Sequence, residues 1–159
     1  MGAGRIDRAV QADIPRLMDL LTQVNMVHHR GRPDLFRGPT TKYAPEELAD
    51  LLRDGRRPVF VCRGEDGEVL GYAFCVLQEV RNDRLLMDRR TLYIDDLCVD
   101  ENARGRGIGR RLYEHAVAYA RAIGCHNVTL NVWCLNEPAM RFYEKCGLRP
   151  QKVGMEVIL

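Results

Sequence analysis

No run of about 18 apolar residues occurs in this 159-residue sequence, so no membrane-spanning helix is expected. The opening stretch, Met1-Gly2-Ala3-Gly4-Arg5-Ile6, lacks the apolar core of a secretory signal, and Ile6 stands where an acylation signal on Gly2 needs Ser or Thr. Six cysteines, at 62, 75, 98, 125, 134 and 146, never form a C-x-x-C pair, which speaks against a zinc site or a disulfide framework. A cytoplasmic, reduced protein without a metal is the expectation. A charge excess of one sign is missing too. With 24 basic against 22 acidic side chains the net charge is +2, whereas a nucleic-acid-binding domain is usually more lopsided, so none is expected as a partner. The basic side is nearly all arginine, 21 Arg to 3 Lys, which suits planar contacts with phosphates or carboxylates.

Hydrophobic residues make up 46% and charged residues 29%, enough for a normal core within one domain over 1–159. Arg5 to Val10 reads as a strand. Asp13 is placed to cap a helix carrying Ile14, Leu17, Met18, Leu21 and Val24 at helical spacing. His28 to Thr41 is punctuated by Gly and Pro and reads as an irregular connection, followed by a helix from about Pro45 to Asp54. Val59–Cys62 and Val69–Val80 are strands around the turn Gly64-Glu65-Asp66-Gly67, and Leu92–Val99 is another. Ile108, Leu112, Ala116, Ala120 and Ile123 form the apolar stripe of a long helix stopped by Gly124. Strand Val128–Trp133, helix Asn136–Lys145 and a last strand Val153–Ile158 complete the order β-α-α-β-β-β-α-β-α-β, an α/β (α+β) fold with a mixed sheet flanked by helices.

One strand–turn–helix unit carries chemistry. Tyr93-Ile94-Asp95-Asp96-Leu97-Cys98-Val99 leads into Arg104-Gly105-Arg106-Gly107-Ile108-Gly109. A glycine-rich turn opening a helix leaves main-chain N–H groups free and aimed one way, and the helix dipole adds to them, so the turn suits phosphate. Glycines keep side chains out of the way, and some of these positions need φ above zero. Arg104, Arg106, Arg110 and Arg111 surround the turn. A Walker loop fails because Gly109 is followed by Arg110-Arg111, and the dinucleotide fingerprint fails because its third glycine falls on Arg110. The pattern left is R-x-x-G-x-G.

That pattern resembles the pyrophosphate loop of the GNAT superfamily of acetyl-CoA-dependent N-acetyltransferases. The stretch Asn136-x-x-Ala139-x-x-Phe142-Tyr143-Glu144-Lys145-Cys146-Gly147-Leu148 resembles a second signature of that superfamily, and Arg8-Ala9-x-x-x-Asp13 its opening strand and helix. The resemblance implies acetyl transfer from acetyl-CoA to an amine. It implies that Arg104, Gly105, Arg106, Gly107, Ile108, Gly109 and Arg110 take the pyrophosphate, that main-chain groups of Leu97, Cys98 and Val99 meet the pantetheine and thioester, and that Asn136 binds the pantetheine amide region, although Asn136 equally suits a helix N-cap. A homodimer is plausible on the same ground.

An amine with a pKa near 10.4 is neutral in only about one molecule in 2,500 at pH 7, so a proton acceptor is worth having. Asp95 and Asp96 are the candidates. Similarity to the spermidine/spermine acetyltransferases favours Asp95, and strand alternation puts the two on opposite faces unless a bulge intervenes. Tyr143 is the candidate acid for the departing thiolate. His28, His29, Phe36 and Glu79 are weaker candidates for the acceptor pocket, with a basic amine or basic peptide as the expected acceptor. Cys98 and Cys134 read as small buried side chains rather than acyl carriers. A non-catalytic acyl-CoA-binding or sensing module is the alternative, and a nucleic-acid binder using Arg104 to Arg111 would leave the glycines and the tyrosine helix unexplained.

Overall fold

A computed structural model describes residues 4–159; Gly2, considered above for acylation, lies outside the described residues. Five strands pair in chain order: β1 (Arg5–Arg8), β2 (Val59–Arg63), β3 (Val69–Val80), β4 (Arg89–Val99) and β5 (Asn127–Leu130). The first three pairings are antiparallel and β4 runs parallel to β5, so the sheet is mixed. Helices α1 (Ile14–Gly31) and α2 (Pro45–Arg53) precede β2, α3 (Ile108–Ala122) crosses from β4 to β5, and α4 (Glu137–Lys145) follows β5.

Period-2 strands sort their side chains into two layers. Val61, Tyr72, Phe74 and Cys98 face α1 and α2, where Leu17, Leu20, Leu21, Leu48 and Leu51 are buried. Phe60, Ala73, Cys75, Leu92 and Ile94 face α3 and meet Ile108, Leu112, Ala116 and Ala120. Each fully buried leucine contributes about 2 kcal/mol through apolar area removed from water. The expected α3 stripe is therefore buried from Ile108 to Ala120, and Gly124 ends the helix with a left-handed φ of 75°.

Three expectations need correction. Asp13 does not cap α1 with its side chain; its carboxylate accepts the Val10 N–H at 2.8 Å and both arms of Arg63 at 2.7 Å, fastening the α1 entry to β2. His28 and His29 do not lie in an irregular stretch, because α1 continues to Gly31 and places both in its last turn. Val153–Ile158 forms no strand. Its backbone pairs with nothing in the sheet, and Val153, Met155, Val157 and Ile158 are all more than three-quarters exposed. Alternating pattern supplies a strand's faces but not its neighbour, and here the neighbour is missing. The segment is tied to the rest of the chain through Glu156, which accepts from Arg32.

Candidate active site

β4 positions the site because both of its edges change along its length. On the β3 side Cys75 lies opposite Ile94 and Phe74 opposite Asp96, which leaves Asp95 as an extra residue in a bulge. Ile94 and Leu97 belong to the α3 layer, whereas Asp96 bonds to Tyr72 and Asp95 to Tyr43 in the α1/α2 layer. The bulge thus turns two neighbouring carboxylates to one face, where strict alternation would have separated them. On the β5 side pairing stops at Ile94–Leu130, so the edge of β4 from Asp95 to Val99 has no strand beside it. Main-chain groups of Leu97, Cys98 and Val99 border the gap between the two strands.

The glycine-rich loop continues from this edge. Asp100 closes the short turn Glu101–Ala103 by accepting the Asn102 N–H at 3.0 Å, and Arg16 of α1 bonds to the same carboxylate. Gly105 and Gly107 take φ of 76° and 74°, a region costly for residues with a Cβ, and a Cβ at either would meet nothing within 4 Å. The loop therefore turns bare main chain toward open space at the N-terminus of a 15-residue helix. Ile108 is buried beneath it as an anchor. Gly109 differs: a Cβ there would lie 3.4 Å from the Phe142 ring, in ordinary contact with α4 rather than in open space. Arg104 and Arg106 are exposed at the loop. Arg110 is paired with Glu114 at 3.0 Å, and Arg111 turns away to the Gly4 carbonyl. The room and the donors fit a pyrophosphate.

The carboxylates differ in environment. Asp95 holds the Lys42 ammonium at 2.5 Å and the Tyr43 hydroxyl at 3.3 Å. Asp96 accepts the hydroxyl of the buried Tyr72 at 2.6 Å. Burial, reinforced by the neighbouring Asp95 charge, pushes the Asp96 carboxyl up to about 6, against the opposing pull of Tyr72 and Lys42. On α4, burial first and the Asp96 charge next push the Tyr143 hydroxyl above its ordinary range. Asn136 caps α4, its side-chain oxygen accepting the Ala139 N–H at 3.3 Å. Cys98 is buried against the Leu20 carbonyl and its thiol is pushed up to about 12. Cys134, expected to be buried, is exposed.

The weaker candidates fall elsewhere. Glu79 is paired with Arg90 at 2.9 Å, far along the hairpin from the Phe74–Asp96 pair, and does not add charge to the acid pair. His28 stacks on Phe36 at 5.0 Å, and Phe36 meets Trp133 edge-on at 5.1 Å. The His29 Nδ1 lies 2.6 Å from the Phe36 carbonyl, so that nitrogen carries its hydrogen. These residues build an aromatic wall where the chain leaves β5, and their contacts are with one another rather than with Asp95 or Asp96. Lys42, Tyr43 and Tyr72 were missed because their part in the site comes from contacts 24 to 53 residues away in sequence. Among the described residues no group of three or more His, Cys, Asp or Glu could hold a metal ion, and no helix is long and apolar enough to cross a membrane.

Residues 25–148 match the family model described as the acetyltransferase (GNAT) family. The chain is 36% identical over 115 residues to streptothricin acetyltransferase from Streptomyces lavendulae, covering 69% of this chain and 57% of that protein. It is 30% identical to glucosamine 6-phosphate N-acetyltransferase from Trypanosoma brucei brucei, covering 71% and 76%. The chain spans about half the length of several curated relatives it matches. Among solved structures, a tetramutant of the BH1408 protein from Bacillus halodurans superposes with a TM-score of 0.93 at 34% identity, covering 98% of this chain and 99% of that one. An aminoglycoside acetyltransferase from a soil metagenomic sample, in complex with sisomicin, shares the fold at a TM-score of 0.73 and 22% identity.

Proposed function

Because the chain belongs to the acetyltransferase (GNAT) family, we propose that it is an N-acetyltransferase that moves an acetyl group from acetyl-CoA to a primary amine by direct attack in a ternary complex. The observation that carries this reading is the junction at β4, where a bulge holds two carboxylates on one face beside an unpaired strand edge that runs into an open glycine loop. Acetyl-CoA supplies a thioester, an acyl group already activated for transfer. The loop 104–110 holds the pyrophosphate through its main chain, with the exposed Arg106 beside it, Arg104 reaching it with the guanidinium nitrogens left over from its Nε bond to the Val99 carbonyl, and Arg110 reaching it only by leaving Glu114. The edge of Leu97, Cys98 and Val99 hydrogen-bonds the pantetheine and polarises the thioester carbonyl. Asn136 keeps its amide nitrogen for the pantetheine while its oxygen caps α4.

The proton acceptor we assign is Asp96 rather than Asp95. A carboxyl lifted to about 6 stays ionised at neutral pH yet binds a proton more readily than an ordinary aspartate, as a general base should. Asp95 is already occupied by Lys42. Tyr143, whose hydroxyl is made a weaker acid by burial, stabilises the departing sulfur by a hydrogen bond rather than by full proton transfer. The buried Cys98, held as a thiol, supports direct attack over an acyl-enzyme.

For the acceptor, the two carboxylates favour a cationic amine, without Glu79 and with Lys42 offsetting part of their charge. The relatives named for streptothricin and glucosamine 6-phosphate support an amine-bearing small molecule as the class. A thiol-release assay with acetyl-CoA and a panel of basic, neutral and acidic amines tests the reading: turnover that favours basic amines is expected, and acetyl-CoA binding without any turnover would make the chain an acyl-CoA sensor. A homodimer is proposed as well, supported by the uncovered apolar side chains between 153 and 159; light scattering should give twice the chain mass.

A further inference from the structure

We propose that the ε-amine of Lys42 is itself acetylated by the chain that carries it, and that this modification resets the charge of the acceptor end. The inference rests on the acetyltransferase reading above. Lys42 precedes α2, and its Nζ sits 2.5 Å from Asp95 Oδ2, beside the base assigned to the reaction. Its side chain is 51% exposed while that of Asp95 is 16% exposed, so the amine lies at the mouth of the site and the carboxylate in its wall. An incoming acceptor has to bring a primary amine to this place. Lys42 is one already tethered there, which replaces a second-order encounter by an intramolecular one.

Composition sharpens the point. A guanidinium stays protonated and does not serve as an amine acceptor, and 21 of the 24 cationic side chains are arginines. The other lysines, Lys145 at the end of α4 and Lys152 beyond it, are exposed and have no bond to either carboxylate. Among the described residues, Lys42 alone brings an acetylatable side chain to the acid pair.

The step balances. The ammonium gives one proton to Asp96, the freed nitrogen forms a bond to the acetyl carbon as the carbon–sulfur bond breaks, and the second nitrogen proton ends on the CoA thiolate. The products are an amide at Lys42 and free CoA, and Asp96 returns its proton to water. The groups facing the amine are Asp95 and Asp96 from β4 and the Tyr43 ring and hydroxyl, with Arg57 bonded to that hydroxyl at 3.0 Å. Burial favours the neutral amine, but the carboxylates outweigh it and hold the proton on Lys42, so self-acetylation is slow and depends on Asp96 to take that proton. Once acetylated, Lys42 no longer offsets Asp95 or pulls on Asp96, and the site carries one more negative charge toward a cationic acceptor.

Incubating the full chain with acetyl-CoA at pH 8 and no acceptor, followed by intact-mass measurement and peptide mapping, tests the idea. One acetyl group on Lys42 is expected, at a rate independent of protein concentration, absent in Lys42→Arg and slowed about tenfold or more in Asp96→Asn. Lys42→Gln should mimic the product and lower KM for a basic amine about threefold or more. An unmodified Lys42 in a chain that binds acetyl-CoA by calorimetry and acetylates an added amine overturns the proposal and leaves the acetyltransferase reading intact. Equal labelling of Lys145 and Lys152, or a rate rising with protein concentration, overturns it too. Failure to bind acetyl-CoA overturns the acetyltransferase reading and this inference with it.

Discussion

At the loop end of the site, the groups that face open space are the bare main chain of Gly105 and Gly107, framed by exposed arginines and anchored from below by Ile108. At the acid end they are side chains drawn from three distant segments: Lys42 and Tyr43 before α2, Tyr72 on β3, and Asp95 and Asp96 on β4. The first end depends on what is missing, since any Cβ at the left-handed glycines is strained and intrudes on the anion. The second depends on mutual charge, since burial and the Asp95 charge raise the Asp96 carboxyl against the pull of Tyr72 and Lys42. A backbone-built site tolerates changes in the side chains around it but not in its glycines. A network of charges responds to a change in any member.

The sharpest way to break this contrast is Gly107→Glu, which puts a Cβ at a φ of 74° and a negative charge where phosphate should lie. Calorimetry should show acetyl-CoA affinity falling about 100-fold or more, with the Asp96 titration unchanged. An unaltered affinity would remove the loop from the site.

Next comes Asp96→Asn. It should lower kcat/KM by ~10²-fold at pH 7 and lose part of that deficit as pH rises and the amine deprotonates itself. Asp95→Asn should cost less, and the reverse order would return the role of base to Asp95. The same variant carries a stability signature. Because the Asp96 carboxyl is raised from 3.8 to about 6 on folding, the native state holds its proton more tightly than the unfolded chain, so the wild type loses stability as pH climbs from 4 to 6. Asn cannot ionise, so denaturant melts should show the variant gaining on the wild type across that window, by up to about 3 kcal/mol above it.

Tyr143→Phe should keep acetyl-CoA binding within a few-fold and lower kcat by ~10²-fold or less. Unchanged kcat, where chemistry limits the rate, would leave Tyr143 as packing on Phe142. The smallest effects separate the arginines. Arg106→Ala should weaken acetyl-CoA binding by about five-fold, and Arg110→Ala by about two-fold because Glu114 already holds that guanidinium.

The same contrast explains what could be read in advance. The loop, the α3 stripe and the α4 cap are local, within a few residues of one another, and Arg104 to Gly109, Ile108 to Ala120 and Asn136 appear in the fold as their spacing implied. The acid pair was legible as residues but not as geometry. Nothing in Ile94-Asp95-Asp96-Leu97 announces a bulge, which arises from how β3 and β4 pair over their length. Glu79 looked available until cross-strand pairing gave it Arg90, and Val153–Ile158 had a strand's pattern without a strand beside it. The Gly and Pro residues that punctuate His28 to Thr41 read as an irregular connection, yet α1 runs on through His28 and His29 and ends at Gly31.

The bulge also fixes how this protein can change in length. Ile94 and Leu97 share a layer although they are three residues apart, an odd interval that an unbroken strand would not permit. Deleting one residue between them would make the interval even and β4 regular, keeping Ile94 and Leu97 in the α3 layer but leaving a single carboxylate on the α1/α2 face, whereas a second inserted residue would turn one half of the strand over. The paired carboxylates therefore depend on the length of this segment, and length variation should gather instead at the exposed hairpin end, 81–88, where no layer depends on the count.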